Sequence, residues 1–189
     1  MTMLIAGLLI FLGIHSLSIF NKPFRDSLAK RFGEMPFKGI YSLISLAGFL
    51  LVIWGYGLAR LNPIVIYTPP VWMKHVTMLL MLPFFVLFLA TYFNGKIKAM
   101  VKHPTLVGVK LWALAHLLAN GMLADLLLFG SFLGWAVADR ISVKKRPGVS
   151  VAGFENFNRN DVICLVGGIV LYVLFVLGLH GVLIGVPLV

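Results

Sequence analysis

The sequence predicts an all-α, polytopic membrane protein: a single domain over residues 1–189, folded as a bundle of six transmembrane helices with both termini outside. Apolar residues make up 60% of the 189 residues and the mean hydropathy is +1.00, which is more apolar surface than a soluble domain of this size needs. Several apolar runs approach or exceed the length of about 18 residues that crosses a bilayer. The formal net charge of +10 is confined to short connections between these runs.

The six predicted spans follow from the apolar runs. The first begins without a preceding basic residue and has no small-x-small cleavage site, so it predicts a retained helix rather than a removed signal peptide. The fourth and fifth are joined only through residues 120–125, which predicts a tight hairpin. Two GxxxG patterns, at 130–134 and 181–185, predict close helix packing, and residues 144–160 are expected to be irregular. The spans are 2–20, 39–60, 71–93, 107–122, 124–141 and 162–186.

The topology follows from the charges of the connections. Loops 21–38, 94–106 and 140–161 are basic, whereas the intervening connections and both termini carry almost no charge. These loops share one face only if there are six spans and the N-terminus is outside, and the positive-inside rule makes that face cytoplasmic. This distribution indicates membrane orientation and argues against a nucleic-acid partner. The single cysteine, Cys164, excludes an intrachain disulfide and any CxxC motif.

His116 is a candidate functional residue because an ionisable side chain inside an apolar span is costly, and histidine is a common metal ligand. His103 lies 13 residues earlier and precedes Pro104, a residue typical of a first helical turn. Thirteen helical residues span about 20 Å, whereas two axial ligands of one iron lie about 4 Å apart. The partner of His116 must therefore come from another helix, either as His15 or as His180.

Several segments together resemble the NnrU family of bacterial membrane proteins, which is associated with denitrification and nitric-oxide metabolism. The resemblance implies a multi-pass protein of the bacterial cytoplasmic (inner) membrane and a partner in nitrogen-oxide respiration. The segments are GIHSL near the start, YSLISLAGFLLVIWGYG at 41–57, HPTLVGVKLWALAHLLANG at 103–121 and LLLFGSFLGWAVADR at 126–140.

The same segments are similar to the plastid zeta-carotene isomerase, a haem b membrane enzyme that isomerises a carotenoid double bond. This resemblance implies haem b, with His15 and His116 as its two ligands and an apolar membrane substrate. A cysteine three residues before the second ligand serves in the isomerase as an alternative ligand, and here that position is Ala113. The ligand exchange proposed for the isomerase therefore does not carry over to this chain.

Haem in this chain is expected to be non-covalent, since no CxxCH motif is present. Trp112 is a candidate for orienting a ligand, and His103 for an anion or cofactor contact beside the helix N-terminus. Asp125 would either accept a ligand-histidine N–H or lie in water. Basic residues near the cytoplasmic face would pair with the haem propionates or with anionic lipid; they are Lys22, Arg25, Lys102, Lys110 and Arg140.

Three function classes remain: a haem-dependent isomerase-like or redox enzyme, a haem b electron-transfer or gas-responsive protein, and a non-catalytic accessory factor for nitrogen-oxide respiration. A further resemblance links KHPTLVG to the RHPxYxG element of isoprenylcysteine carboxyl methyltransferases, which implies S-adenosylmethionine. In this chain Leu106 replaces the tyrosine of that element, and Glu155 stands alone where those enzymes have a Glu-rich segment. The methyltransferase is therefore the weakest alternative.

Overall fold

The computed structural model describes residues 1–146, 153–154 and 156–189. These residues form an all-α protein. A π-helical turn, Phe175–Leu179, separates the last two helices. The helices are α1 (Thr2–His15), α2 (Leu17–Phe20), α3 (Lys22–Phe32), α4 (Glu34–Leu61), α5 (Met73–Tyr92), α6 (Lys96–Val101), α7 (Pro104–Ala119), α8 (Leu123–Lys145), α9 (Arg159–Leu174) and α10 (His180–Ile184).

Within the described part of the chain, four segments are long and apolar enough to cross a membrane: Glu34–Leu61, Met73–Tyr92, Leu123–Lys145 and Arg159–Ile184. α1 and α7 are also apolar but shorter. Large side chains on the outside are often apolar, with Leu9 70% exposed and Val182 81% exposed. An apolar exterior of this kind fits a lipid environment, because lipid tails impose no cost on exposed hydrocarbon.

Some predicted boundaries were wrong. The predicted first span, 2–20, is interrupted at Ser16, whose N–H bonds to the carbonyls of Leu12 and Gly13 at the end of α1. The predicted loop 21–38 contains α3, and the predicted loop 94–106 contains α6. Of the predicted irregular segment 144–160, residues 147–152 and Glu155 lie outside the described residues, and α8 reaches Lys145.

The chain divides into two compact units: Met1–Pro69 with Asn120–Pro147, and Pro70–Ala119 with Gly148–Val189. In the first unit α1 packs along α4 and also contacts α8. The α1–α4 crossing is close because glycines remove side chains from it: a Cβ on Gly7 would lie 2.6 Å from the Val52 nitrogen, and one on Gly48 would lie 2.7 Å from the Phe11 nitrogen. These glycines fall outside both predicted GxxxG patterns.

In the second unit α5 packs against both α7 and α9. Gly168 lets α9 approach the α5 backbone, since a Cβ there would lie 2.7 Å from the Val86 nitrogen. The Tyr172 hydroxyl of α9 donates to the Met78 carbonyl at 3.1 Å. The unit is therefore organised around α5, with one partner helix on each side.

Candidate functional site

Two predicted site histidines share one local arrangement. The Nδ1 of His15 lies 2.6 Å from the carbonyl oxygen of Phe11, and the Nδ1 of His116 lies 2.8 Å from that of Trp112. A carbonyl oxygen only accepts, so in each ring Nδ1 carries the hydrogen and donates it. When such a ring is neutral, the lone pair lies on the other nitrogen, Nε2, and this is the form that ligates metals.

His180 also donates from Nδ1 to a backbone carbonyl, but its partner lies further along the chain rather than one helical turn earlier. Its Nδ1 donates to the carbonyl oxygen of Val186 at 2.7 Å, six residues further along the chain. Gly185 makes this possible because its φ of 76° is left-handed and ends α10, so that the chain turns back. Pro187 then packs beside Gly181. The C-terminal segment thus holds the His180 ring.

The structure brings His116 and His180 together within the second unit. Their ring centroids are 6.5 Å apart and the ring planes differ by 24°. The Trp112 ring lies 5.4 Å from that of His116, so Trp112 contacts this histidine through both its carbonyl and its indole. That Trp112 orients a ligand of haem stays a prediction. Ala113, at the position where the isomerase has cysteine, is fully buried.

His15 belongs to the first unit and lies in an aromatic enclosure. Its ring centroid is 4.4 Å from that of Phe11, 5.3 Å from Tyr41 and 6.1 Å from Trp135, with the Trp135 plane nearly perpendicular at 89°. The indole N–H of Trp135 is buried and has no hydrogen-bond acceptor among the described residues. A hydrogen-bond donor is therefore available on the helix that packs beside His15.

His103 occupies the predicted position. Helix α7 begins at Pro104, and the His103 carbonyl accepts from the Val107 N–H at 3.2 Å, as a residue at the N-cap does. The preceding Lys102 has φ 65° and ψ −49°, and the His103 N–H donates to the Val101 carbonyl at 2.8 Å. This is the geometry of a γ-turn of the rare, strained type. The chain therefore enters α7 through a turn in which the lysine backbone is conformationally strained.

Arg25, a predicted propionate partner, is held by neighbours in its own unit. Its guanidinium lies 5.1 Å from the Phe37 ring centroid and donates to Asp26 at 3.0 Å. Lys22 also donates to Asp26, at 2.5 Å. These two hydrogen bonds keep the pKa of Asp26 below its usual range. An added anion would have to compete with the Asp26 carboxylate for either cation.

Asp125 is 1% exposed, so the prediction that it could lie in water was wrong. Its carboxylate accepts from the Tyr56 hydroxyl at 2.6 Å and from the Met122 N–H at 2.9 Å. The contact with Tyr56 was not predicted, because the two residues are 69 positions apart. Asp125 stands three residues after Met122, the N-cap of α8. This capping position was the signal in the sequence that could have revealed its structural role.

Asp161 is a second buried carboxylate, and it was missed as a site residue. It accepts backbone N–H groups from Lys96 at 2.9 Å, Ile97 at 2.8 Å and Asn158 at 2.9 Å. Gly95 is required beside it, since a Cβ there would collide with the carboxylate. Asp161 therefore joins the start of α6 to that of α9, and the Asn-x-x-Asp spacing of a capping box was the signal that could have revealed it.

The first unit also carries an apolar groove of about 410 Å³ along one side of α1. Leu9, Leu12 and Leu17 line it from the N-terminal helices, and Leu127 lines it from α8. The groove is open to the outside and ends near Asn21, the N-cap residue of α3. Its lining suits a hydrocarbon chain rather than a polar ligand.

The family model described as NnrU protein matches residues 3–188. The chain belongs to the NnrU family. The match covers both units of this family member, including His15, His103, His116 and His180. No curated protein and no solved structure matches the chain.

Among the described residues of this family member, no group of three or more His, Cys, Asp or Glu side chains is placed to hold a metal ion. A protein-enclosed metal centre of the structural zinc type is therefore not formed by these residues, because such centres use four protein ligands. Axial ligation of a haem iron needs only one or two side chains, since the porphyrin supplies the other donors. The described histidines are sufficient for that.

Proposed function

We propose that this NnrU family member is a multi-pass protein of the bacterial cytoplasmic membrane that binds haem b through two histidine side chains. The observation that carries the proposal is the common state of His15, His116 and His180, whose Nδ1 atoms all donate to backbone carbonyls. In this tautomer Nε2 is the nitrogen that would face an iron. Neutral imidazole is a frequent axial ligand of haem iron, and its outer N–H is usually held by a carbonyl or carboxylate.

The donor set fits haem b in its chemistry. Two histidine imidazoles would hold the iron, and the apolar helices that carry them would provide a setting of low dielectric. Lys102 would pair with a propionate carboxylate, and Arg25 would do so in competition with Asp26. We assign His116 as one ligand, and the resemblance to the isomerase implies His15 as the other. His103 is assigned to cofactor retention, and Trp112 to holding the His116 ring.

The proposed topology has six spans with both termini outside. Helix α7 has 16 residues and α1 has 14, which correspond to about 24 Å and about 21 Å of helix. Both are shorter than the hydrocarbon core of about 30 Å, but α2 continues the apolar stretch of α1 to Phe20. The basic residues of loops 21–38, 94–106 and 140–161 support a cytoplasmic position for these connections.

Bound haem would supply one-electron redox chemistry, and uptake of a small molecule such as nitric oxide would require one of the two imidazoles to leave the iron. The family's association with denitrification favours a role in nitric-oxide metabolism or nitrogen-oxide respiration. The groove along α1 supports the other form of the proposal, redox isomerisation of an apolar substrate drawn from the bilayer. In both forms the protein's own residues orient the imidazoles, exclude water and neutralise the propionates.

One observation favours a second candidate, a non-catalytic membrane accessory factor for nitrogen-oxide respiration. The carbonyl partners of His15, His116 and His180 also satisfy the polar needs of a purely structural histidine inside an apolar helix. The two candidates differ in whether the purified protein contains iron porphyrin.

The test is the visible spectrum of the full chain, purified in detergent after expression with ample haem. We expect a Soret band with the sharp reduced bands of low-spin haem, and we expect acidified acetone to move all colour into the organic phase. A colourless protein that shows no haem spectrum after hemin is added would favour the accessory role. Colour that stays on the polypeptide would exclude a non-covalent b-type haem.

A further inference from the structure

We propose that the groove along α1 is a binding site for one anionic phospholipid. One acyl chain of the lipid lies between α1 and α8, and its phosphate lies beside Lys22 at the start of α3. The proposal concerns the first unit alone and does not depend on haem binding. Three features carry it: the shape of the groove, the change from apolar to polar lining at one end, and the charge around that end.

The groove has two helical walls. One wall is a face of α1 and α2 that runs from Ile5 to Asn21, and the other consists of Leu127 and Ser131, one turn apart on α8. The first wall corresponds to roughly 24 Å of helix, whereas one leaflet contributes about 15 Å to the hydrocarbon core of a bilayer. The groove is therefore long enough for an acyl chain of one leaflet.

The α1 wall suits a hydrocarbon chain. Its side chains from Ile5 to Leu17 are apolar except for Ser16, whose hydroxyl donates to the Leu12 carbonyl at 2.6 Å. Gly13 leaves room for the chain, because a Cβ at this position would meet no described atom within 4 Å. A chain between two helical walls gains dispersion contacts on both sides, which a chain on a convex helix face does not.

The lining of the groove changes from apolar to polar at one end. Phe20 is the last apolar residue of the α2 wall, and Asn21 and Lys22 follow it directly. The Asn21 side chain accepts the Phe24 N–H at 3.0 Å and so caps α3. A ligand that matches this pattern is an amphiphile, with its hydrocarbon chain in the groove and its polar head at the start of α3.

The surroundings of this end are cationic. Residues 17–32 and 139–146 contain eight Lys or Arg and two Asp, and α2 contacts both α3 and α8. Arg146 of α8 donates to the Ser18 carbonyl at 2.8 Å, and the Ser142 hydroxyl donates to the Ile19 carbonyl at 3.4 Å. These bonds hold the basic end of α8 against α2. An excess of Lys and Arg at a membrane surface attracts anionic headgroups.

Lys22 is the cation that we assign to the phosphate. Its side chain is 54% exposed, and its amine has three N–H donors. Asp26 accepts from this amine at 2.5 Å, so a phosphate would share Lys22 with the Asp26 carboxylate. The two side chains should therefore have opposite effects: loss of the Lys22 charge weakens lipid binding, and loss of the Asp26 charge strengthens it.

The experiment measures the lipid that the full chain retains. The protein is incorporated into nanodiscs of phosphatidylcholine with a minor fraction of phosphatidylglycerol, extracted into mild detergent and analysed by native mass spectrometry. We expect one phosphatidylglycerol to remain bound to each chain, in preference to the more abundant phosphatidylcholine.

Gly13→Leu tests the groove, with Gly57→Leu as the matched control. A Cβ on either glycine meets no described atom within 4 Å, but of the two only Gly13 lines the groove. We expect Gly13→Leu to lower the retention of phosphatidylglycerol about tenfold, because the added side chain occupies the space of the acyl chain. Gly57→Leu should retain the lipid as the wild type does.

Lys22→Gln tests the headgroup contact, with Lys30→Gln as the control that removes the same charge from the last turn of α3. We expect Lys22→Gln to lower the retention of phosphatidylglycerol about fivefold, the effect of one cation at an anionic surface, and Lys30→Gln to leave it nearly unchanged. Asp26→Asn should raise it, since the carboxylate no longer shares the Lys22 amine.

A wild-type chain that retains no phospholipid, or retains phosphatidylcholine as readily as phosphatidylglycerol, would overturn the proposal. Equal losses in Lys22→Gln and Lys30→Gln would also overturn it, because the lipid would then be held by the general charge of the surface. Circular dichroism checks the fold of each variant. If Gly13→Leu folds poorly, Ser131→Phe fills the groove from α8, and a folded Ser131→Phe variant that keeps the lipid would contradict the site.

Discussion

Lys102 combines a strained backbone with a position directly before His103 and Pro104. Its φ of 65° lies in the region that favours glycine, and the γ-turn it forms is closed by a hydrogen bond from the His103 N–H to the Val101 carbonyl. Strain of this kind costs on the order of 1–3 kcal/mol and persists where the surroundings require it. The turn sets the direction in which His103 enters α7.

Lys102→Gly should stabilise the protein, because glycine adopts this conformation without a Cβ penalty. Part of the gain is offset by the greater freedom of glycine in the unfolded chain, so we expect a net increase of about 1 kcal/mol. Thermal or denaturant unfolding in detergent measures it. Lys102→Ala is the control that removes the same amine without relieving the strain, and a glycine variant no more stable than the alanine variant would contradict this account.

The hydrogen bond between Tyr56 and Asp125 is the second feature with a consequence at the residue scale. The tyrosine hydroxyl and the Met122 N–H both donate to a carboxylate that is almost fully buried. When a buried acceptor loses its donor, the free energy of its desolvation is no longer offset by a hydrogen bond.

Tyr56→Phe should therefore lower the free energy of unfolding by about 1–3 kcal/mol. The same unfolding measurement applies, with Tyr92→Phe as the control, since Tyr92 is 70% exposed and its hydroxyl makes no hydrogen bond to a described residue. Equal stability of the two variants would show that Asp125 does not depend on Tyr56.

At the scale of elements, the α1–α4 crossing depends on glycines that face the partner backbone. A Cβ on Gly55 would collide with the backbone of Met3 and Leu4, whereas a Cβ on Gly57, two residues further along the same helix, would meet no atom within 4 Å. Gly55 and Gly57 therefore have opposite roles in packing.

Gly55→Ala should destabilise the protein by about 1–3 kcal/mol, the usual cost of an overpacked contact that cannot relax. Gly57→Ala should be neutral or stabilising by up to about 1 kcal/mol, because alanine favours the helix. Unfolding of the two variants side by side measures the difference. Equal changes in the free energy of unfolding would mean that α1 and α4 can move apart at Gly55 without loss of stability.

At the scale of the whole molecule, the distribution of charge sets the expected orientation in the membrane. Reporter fusions at Val189 and within loop 94–106 test it: the C-terminal reporter should be active outside the cytoplasm and the loop reporter inside. The physical reason is the retention of Lys96, Lys98 and Lys102 on the cytoplasmic side. A cytoplasmic C-terminus would contradict six spans.

The helical class and the membrane character of this protein follow from its sequence, because the length and apolarity of each run depend on local residues alone. The same holds for the start of α7 at Pro104, where proline fixes the first turn. The glycine crossings were mispredicted, since the GxxxG patterns at 130–134 and 181–185 do not reveal which helix lies opposite. The interruption at Ser16 and the helix α3 were also missed, because short polar helices are weak signals.

The sequence by itself determined that His103 and His116 cannot bind one iron together, because 13 residues of helical rise separate them. Only the tertiary structure brought His180 to 6.5 Å from His116 and joined Tyr56 to Asp125 across 69 positions. These contacts depend on how α7 and α10, or α4 and α8, are packed. The direction of a side chain in a helix bundle is set by its neighbours, and no local pattern encodes the π-helical turn or the chain reversal at Gly185 that hold the His180 ring.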